Sequence, residues 1–464
     1  MTHDNVSTIK SQRVLIDGQF RPATLQIEGG KIQKILPYDS TLLSEDNCTD
    51  VGSHAIMPGL VDTHVHINEP GRTEWEGFNT ATQAAAAGGI TTVVDMPLNC
   101  SPVTTTASSL QTKLDALTGK LWIDCGFWGG VVPDSLNELD SLIQAGVLGV
   151  KSFTIHSGID EFPQVHPEHL SQAIRVLAKY DVPYLIHAEL DREESPAPEI
   201  GDRYQSFLSS RPKSWENDAI DMMIDLAREA KSEGVQGKVH IVHLSSAEAI
   251  PAIKKAQAEG LQLSAESCPH YLTLFAETIP DGKTLFKCCP PIREDANRQA
   301  LWEGLADGTI EFIVSDHSPC TPQLKHIDTG DIEHAWGGIS SLQFGLSIIW
   351  TEALIKGYSL EQVAEWMATR PAKFAGLGHC KGKIAQGYDA DLIVFDDLAH
   401  YTITADLIKY RHKITPYEGK NVQGEVLTTF VRGQRVYAKG ELIGAPIGQP
   451  LLANNTPTQN RVDK

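Results

Sequence analysis

Cysteine is scarce and unpatterned here: eight residues in 464, Cys48, Cys100, Cys125, Cys268, Cys288, Cys289, Cys320 and Cys380, with no Cys-x-x-Cys pair. Neither a disulfide framework nor a zinc site built on thiolates is expected from such spacing. The neighbours Cys288 and Cys289 read as small packed residues of a reducing compartment. Positive charge is also short, 39 Lys and Arg against 59 Asp and Glu for a formal net charge of -20. Without a basic cluster, no nucleic-acid partner is expected. No window approaches the roughly 18 apolar residues of a membrane span, so no membrane partner is expected either. The start Met1-Thr2-His3-Asp4-Asn5 lacks a basic stretch followed by an apolar one, so the expected location is the cytoplasm.

What is present is an ordinary globular composition, 41% hydrophobic and 21% charged, able to bury a large core. Apolar, β-branched runs alternate with helical patterns, the signature of βα units around a parallel sheet. Eight runs are counted, ending near His64, Asp95, Trp128, Lys151, His187, His243, Ser267 and Asp316. They predict an α/β fold, a closed (β/α)8 TIM-like barrel over 56–379. Between them lie helices such as Trp75 to Ala87, stopped by Gly88-Gly89. Short glycine-punctuated strands flank the barrel on both sides, too few on either for a stable sheet. They are expected to combine into one small β-sandwich domain from 1–55 plus 380–445, leaving 446–464 as a loose tail or strap.

Five of the eight runs end in residues able to serve a metal. His64 and His66 are two apart on a strand and share one face. His187, His243 and Asp316 close three other runs, and active sites of such barrels lie at these C-terminal strand ends. Four imidazoles and a carboxylate exceed the needs of one catalytic ion, and a second would use them. Lys151 ends the fourth run, and as an ammonium it would repel both ions. The residues alone leave that conflict open. His240 stands at odd spacing from His243 and is expected to face away as a packed or solvated histidine. Asp95 is expected to be structural.

The stretch Pro58-Gly59-Leu60-Val61-Asp62-Thr63-His64-Val65-His66, with Lys151-Ser152-Phe153, His187-Ala188-Glu189, His243-Leu244-Ser245, Cys289-Pro290-Pro291 and Ser315-Asp316-His317-Ser318-Pro319, resembles the cyclic amidohydrolases. Within them it is most similar to the allantoinases. The resemblance spans essentially the whole chain. It implies a pair of divalent metal ions, zinc first and cobalt, manganese, nickel or iron as alternatives. It further implies that Lys151 is carboxylated by CO₂ and bridges both ions, with its charge inverted. His64, His66 and Asp316 would then hold the more buried ion and His187 and His243 the more exposed one. Asp316 would act as general base and then general acid.

The implied reaction is hydrolysis of the cyclic amide of allantoin to allantoate in purine degradation, by a homo-oligomer, a tetramer in similar enzymes. Departures from neighbouring families bear on the substrate. Dihydroorotases have an arginine where Asn68 stands, an asparagine at Cys289 and a histidine at Cys320. Hydantoinases place a tyrosine where this chain has His156, which is the candidate to fill that role. Asn99 matches a substrate-contacting asparagine, and Trp336-Gly337-Gly338-Ile339 matches the allantoinase pattern. A hydantoinase of wider specificity and a non-catalytic scaffold of the same fold are the competing readings. The stretch Asp191 to Trp215 is a candidate lid.

Overall fold

A computed structural model describes residues 8–40, 48–192 and 199–457. Eight strands form the barrel: β1 (Leu60–Val65), β2 (Ile90–Asp95), β3 (Asp124–Phe127), β4 (Val150–Phe153), β5 (Pro183–His187), β6 (Lys238–Ile241), β7 (Leu263–Ser267) and β8 (Phe312–Ile313). β1 to β3 and β4 to β8 pair in parallel with their sequence neighbours. Two seams close the ring. The chain bends after β3, so that Gly129–Gly130 pairs with β4, and Val65 bridges to His317. Both faces of these strands are covered, which is why they read as continuous apolar runs such as Ile90-Thr91-Thr92-Val93-Val94.

Helices Phe78–Ala87, Pro167–Leu177, Lys213–Ser232 and Asp295–Ala306 are among those of the outer layer. On Pro167–Leu177, Leu170, Ala173, Ile174 and Leu177 share the inward face at helical spacing. Each large apolar side chain buried this way contributes about 1.5–3 kcal/mol. The first barrel helix begins at Phe78 rather than Trp75. Gly77 sits at φ 103°, outside the helical region, and the Glu69 carboxylate accepts the Phe78 N–H at 2.8 Å.

Both termini combine, as expected, into one mixed nine-stranded sheet beside the barrel. Its central strands are Thr8–Ile16, Ala55–Pro58, Leu392–Thr402 and Asn421–Val431, with Ala55–Pro58 feeding β1 directly. A buried cation fastens sheet to barrel. Lys381 Nζ lies 2.6 Å from Asp124 on β3, 2.6 Å from Asp391 and 3.0 Å from Asp389. Further on, Pro450–Leu451 lies parallel to β3, and Asn455 donates to the carbonyls of Ile143 and Val147, so 448–455 runs as a strap along the barrel.

Candidate metal centre and its cleft

The C-terminal ends of the strands open into a cleft of about 310 Å³. His64, His66, Lys151, His187, His243 and Asp316 all line it, together with Asn99, His156, Cys289 and Trp336. Every site residue singled out from the sequence is therefore brought to one place.

Two of these residues leave the strand alternation. β6 stops at Ile241, and His243 follows at φ 39°, while Asp316 follows the two-residue β8 at φ 43°. Such left-handed backbone is sparsely populated and recurs at functional sites. His240, as expected, is a packed histidine outside the cleft lining, fully buried with Nε2 3.0 Å from Glu266 Oε2 and its ring against Phe312 and Phe374. Asp95 is structural, accepting from the Ile67 N–H and pairing with buried Lys113 at 2.5 Å.

The imidazoles are held by carboxylates on their far sides. His64 Nδ1 lies 2.5 Å from Glu266 Oε1, which leaves Nε2 facing Asp316 Oδ1 at 3.3 Å. His187 Nε2 lies 2.7 Å from Glu189 Oε2, leaving Nδ1 free. Glu189 in turn takes two bonds from Arg211, at 2.6 and 3.1 Å. A carboxylate on the outer ring nitrogen fixes the tautomer and is the usual companion of a metal-binding histidine. Asp316 Oδ1 accepts from Ser318 Oγ at 2.9 Å. Below it, Asp62 accepts the backbone N–H groups of both His64 and Ser315, tying β1 to the Asp316 segment.

Electrostatics favour a neutral donor set. Burial, then the neighbouring Lys151 ammonium, pushes His64 and His66 well below the ordinary histidine range. Burial together with His187 does the same to His243. Burial brings Lys151 down to about 7, against the pull of Glu266 and Asp316. The same burial raises Asp316 to about 7 and Glu266 to about 8.

These residues fit a divalent cation. The donor atoms of His64, His66 and Asp316 lie within 4.8 Å of one another. His187 and His243 rings stand 4.6 Å apart, with His243 5.3 Å from His64. Lys151 Nζ and His243 Nδ1 are buried without a hydrogen-bond partner, an arrangement that asks for an acceptor or an ion.

Around this centre, Asn99 Nδ2 lies 3.4 Å from His66 Nδ1. Trp336 packs edge-on against Trp75 at 4.8 Å. His156 lines the cleft as an exposed residue, its Nδ1 accepting the Gly158 N–H and its Nε2 3.5 Å from Asp160. The stretch proposed as a lid falls partly on 193–198, outside the described residues; beyond it, Arg211 reaches into the cleft. Glu189, Arg211 and Glu266 were not anticipated. Glu266 did leave a signal, a lone acid inside the buried run Leu263-Ser264-Ala265-Glu266-Ser267, and Glu189 stands two residues from His187. Arg211 left none.

Residues 55–436 match the model of the Amidohydrolase family. The chain is 46% identical to an allantoinase of Saccharomyces cerevisiae over 461 residues, 96% of this chain and 99% of that one. It is 47% identical to an allantoinase of Streptomyces avermitilis, over 93% of this chain and 96% of that one. Among solved structures it resembles an L-hydantoinase (dihydropyrimidinase) from Arthrobacter aurescens, with TM-score 0.89 and 28% identity over 96% of this chain and 99% of that one.

Proposed function

The chain belongs to the amidohydrolase family, in its allantoinase branch, and from that premise we propose that it opens the hydantoin ring of allantoin by metal-dependent hydrolysis to give allantoate. The observation that carries this reading is the convergence of His64, His66, Lys151, His187, His243 and Asp316 on one cleft. Such a centre suits two divalent ions, zinc foremost, with His64, His66 and Asp316 on one and His187 and His243 on the other. Divalent ions there supply Lewis-acid polarisation of the amide carbonyl and lower the pKa of a water.

Carboxylated to a carbamate, Lys151 would offer oxygens to hold both ions. Its neutral amine attacks CO₂, a nitrogen–carbon bond forms, and the amine proton leaves to solvent. Burial supports the step, because it keeps much of the amine uncharged near neutral pH. Asp316 takes the proton of the attacking water and returns it to the departing ring nitrogen as the carbon–nitrogen bond breaks. The Ser318 hydroxyl, bonded to Asp316 Oδ1, orients that carboxylate. Asn99, Cys289 and the backbone at Trp336-Gly337-Gly338 line the space left for the substrate.

Eight free thiols support a reducing compartment, the cytoplasm. Among the described residues no helix is long and apolar enough to cross a membrane. The test is kcat/KM for allantoin, hydantoin and dihydroorotate on protein reconstituted with metal and bicarbonate. Preference for allantoin is expected. Preference for hydantoin would move the protein to the wider hydantoinase reading, and no turnover of any would favour the scaffold.

A further inference from the structure

β7 ends at Ser267, and the chain runs on as Cys268-Pro269-His270. Cys268 and His270 are both fully buried, and their ligand atoms lie within 4.8 Å of each other and of the Asp316 carboxylate. Neither ring nitrogen of His270 has a hydrogen-bond partner. A buried imidazole so placed forfeits its hydration at both nitrogens, a cost of about 1–3 kcal/mol for each unsatisfied group. The Tyr271 ring stands 4.2 Å away edge-on and satisfies neither nitrogen.

We propose that Cys268, His270 and Asp316 form a further cation site, selective for thiophilic divalent ions, that inhibits the enzyme by competing with the catalytic centre for the Asp316 carboxylate. Thiolate, imidazole and carboxylate together make a zinc- or cadmium-type donor set. The catalytic set contains no sulfur, so the two sites differ in softness while sharing one ligand. Asp316 lines the cleft, whereas Cys268 and His270 lie fully buried behind it, so the shared carboxylate is the ligand that connects the two sites. As the sulfur–metal bond forms, the Cys268 thiol gives up its proton to solvent. An ion held there fixes Asp316 on the wrong side, where it cannot take the proton of the attacking water. Only the inhibitory consequence rests on the function proposed above; the binding does not.

The test is a cadmium titration of zinc-reconstituted protein, followed by thiolate-to-metal charge-transfer absorption and, in parallel, by rate. One thiolate band per chain is expected, with activity falling at the same midpoint and recovering on partial chelation. Cys268→Ser is expected to lose both band and inhibition while its uninhibited rate stays unchanged. Cys289→Ser, altered at the half-buried thiol of the cleft, should keep both. A band that survives Cys268→Ser overturns the site, as does the absence of any band in the unaltered protein. Should Cys268→Ser not fold, zinc absorption-edge spectroscopy of the unaltered protein in excess zinc decides, since a sulfur scatterer at about 2.3 Å is expected and its absence refutes the site. A Cys268-dependent band without turnover of allantoin would leave the site standing and sink the function, and turnover without the band would do the reverse.

Discussion

Glu189→Gln isolates how the centre is held. The Glu189 carboxylate accepts from His187 Nε2 at 2.7 Å and from Arg211 at 2.6 and 3.1 Å, and it is fully buried. Burial opposes its charge, but Arg211 and His187 hold it ionised, down to about 2. Gln preserves the volume and keeps one acceptor oxygen. Its amide nitrogen then faces a second donor, either His187 or Arg211, so one charge-assisted bond becomes a donor–donor clash. Loss of such a bond costs roughly 1.5–3 kcal/mol. At about 1.4 kcal/mol per tenfold, the ligand's preference for metal falls about 10- to 100-fold, if the bond serves to keep the His187 Nδ1 lone pair facing the cleft.

The assay is competition with a chelator of known affinity, reading metal retained per chain, before any rate is measured. Metal affinity is expected to drop by that factor, and kcat at saturating metal to recover most of its value. Retention within about twofold of the unaltered protein, with only a lower melting temperature, would show that Glu189 merely props the Arg211 loop. The orienting argument would then be wrong for Glu266 and His64 as well, because it is the same argument.

Lys381→Met removes the cation between Asp124, Asp389 and Asp391 and should cost about 3–5 kcal/mol in urea unfolding, since it leaves the buried Asp391 carboxylate without a cation while Asp124 keeps Arg432 and Asp389 keeps Lys31, with little change in kcat at 25 °C. Burial opposes the charge on Lys381, but the three acids outweigh it and hold its pKa above the ordinary lysine value of 10.5. The clamp's contribution is therefore complete below that pH and lost as pH rises beyond it, and the variant should lack this alkaline slope. Gly338→Ala would place a methyl 2.3 Å from the Ser318 carbonyl oxygen. A cost of about 1–3 kcal/mol is expected, with a fall in kcat because Ser318 orients Asp316; unchanged kinetics would refute that link. Lys151→Ala should lose bound metal and turnover together, with partial return on adding a short-chain acid; full activity without additive would end the two-ion reading.

The barrel was legible because strands covered on both faces have no polar alternation to hide them, and because several follow a glycine, as β1 follows Gly59, β2 Gly89 and β4 Gly149. Even β8, two residues long, was marked by Phe312-Ile313-Val314 leading to Asp316. The ligands were legible as residue types at strand ends. Their holders were not, because Arg211 arrives from a distant connection and Glu266 meets His64 only once the ring has closed between β1 and β7. Sequence spacing reports neighbours along a strand, whereas these contacts run across 22 and 202 residues of chain.

His243, three residues past the packed His240, exposes the physical reason the site exists where it does. Alternation predicts faces only while the backbone stays extended, and at the cleft it does not. His243, Asp316, Asn68 and Asn99 all take positive φ, at 39°, 43°, 66° and 66°. Each costs on the order of 1–3 kcal/mol and persists only where surrounding bonds overdetermine it. Those bonds are present. Asp62 pins Ser315 and His64, Ser318 bonds Asp316, Glu266 Oε1 lies 3.4 Å from the His243 N–H, and Asn68 Nδ2 donates to the Pro319 carbonyl. An extended strand end would have turned alternate side chains outward. The left-handed residues instead turn His243 and Asp316 toward the donors of β1 and β5. Strand ends break the alternation rule at the positions where the chemistry gathers, so a histidine just past a strand is judged by its backbone and not by its spacing.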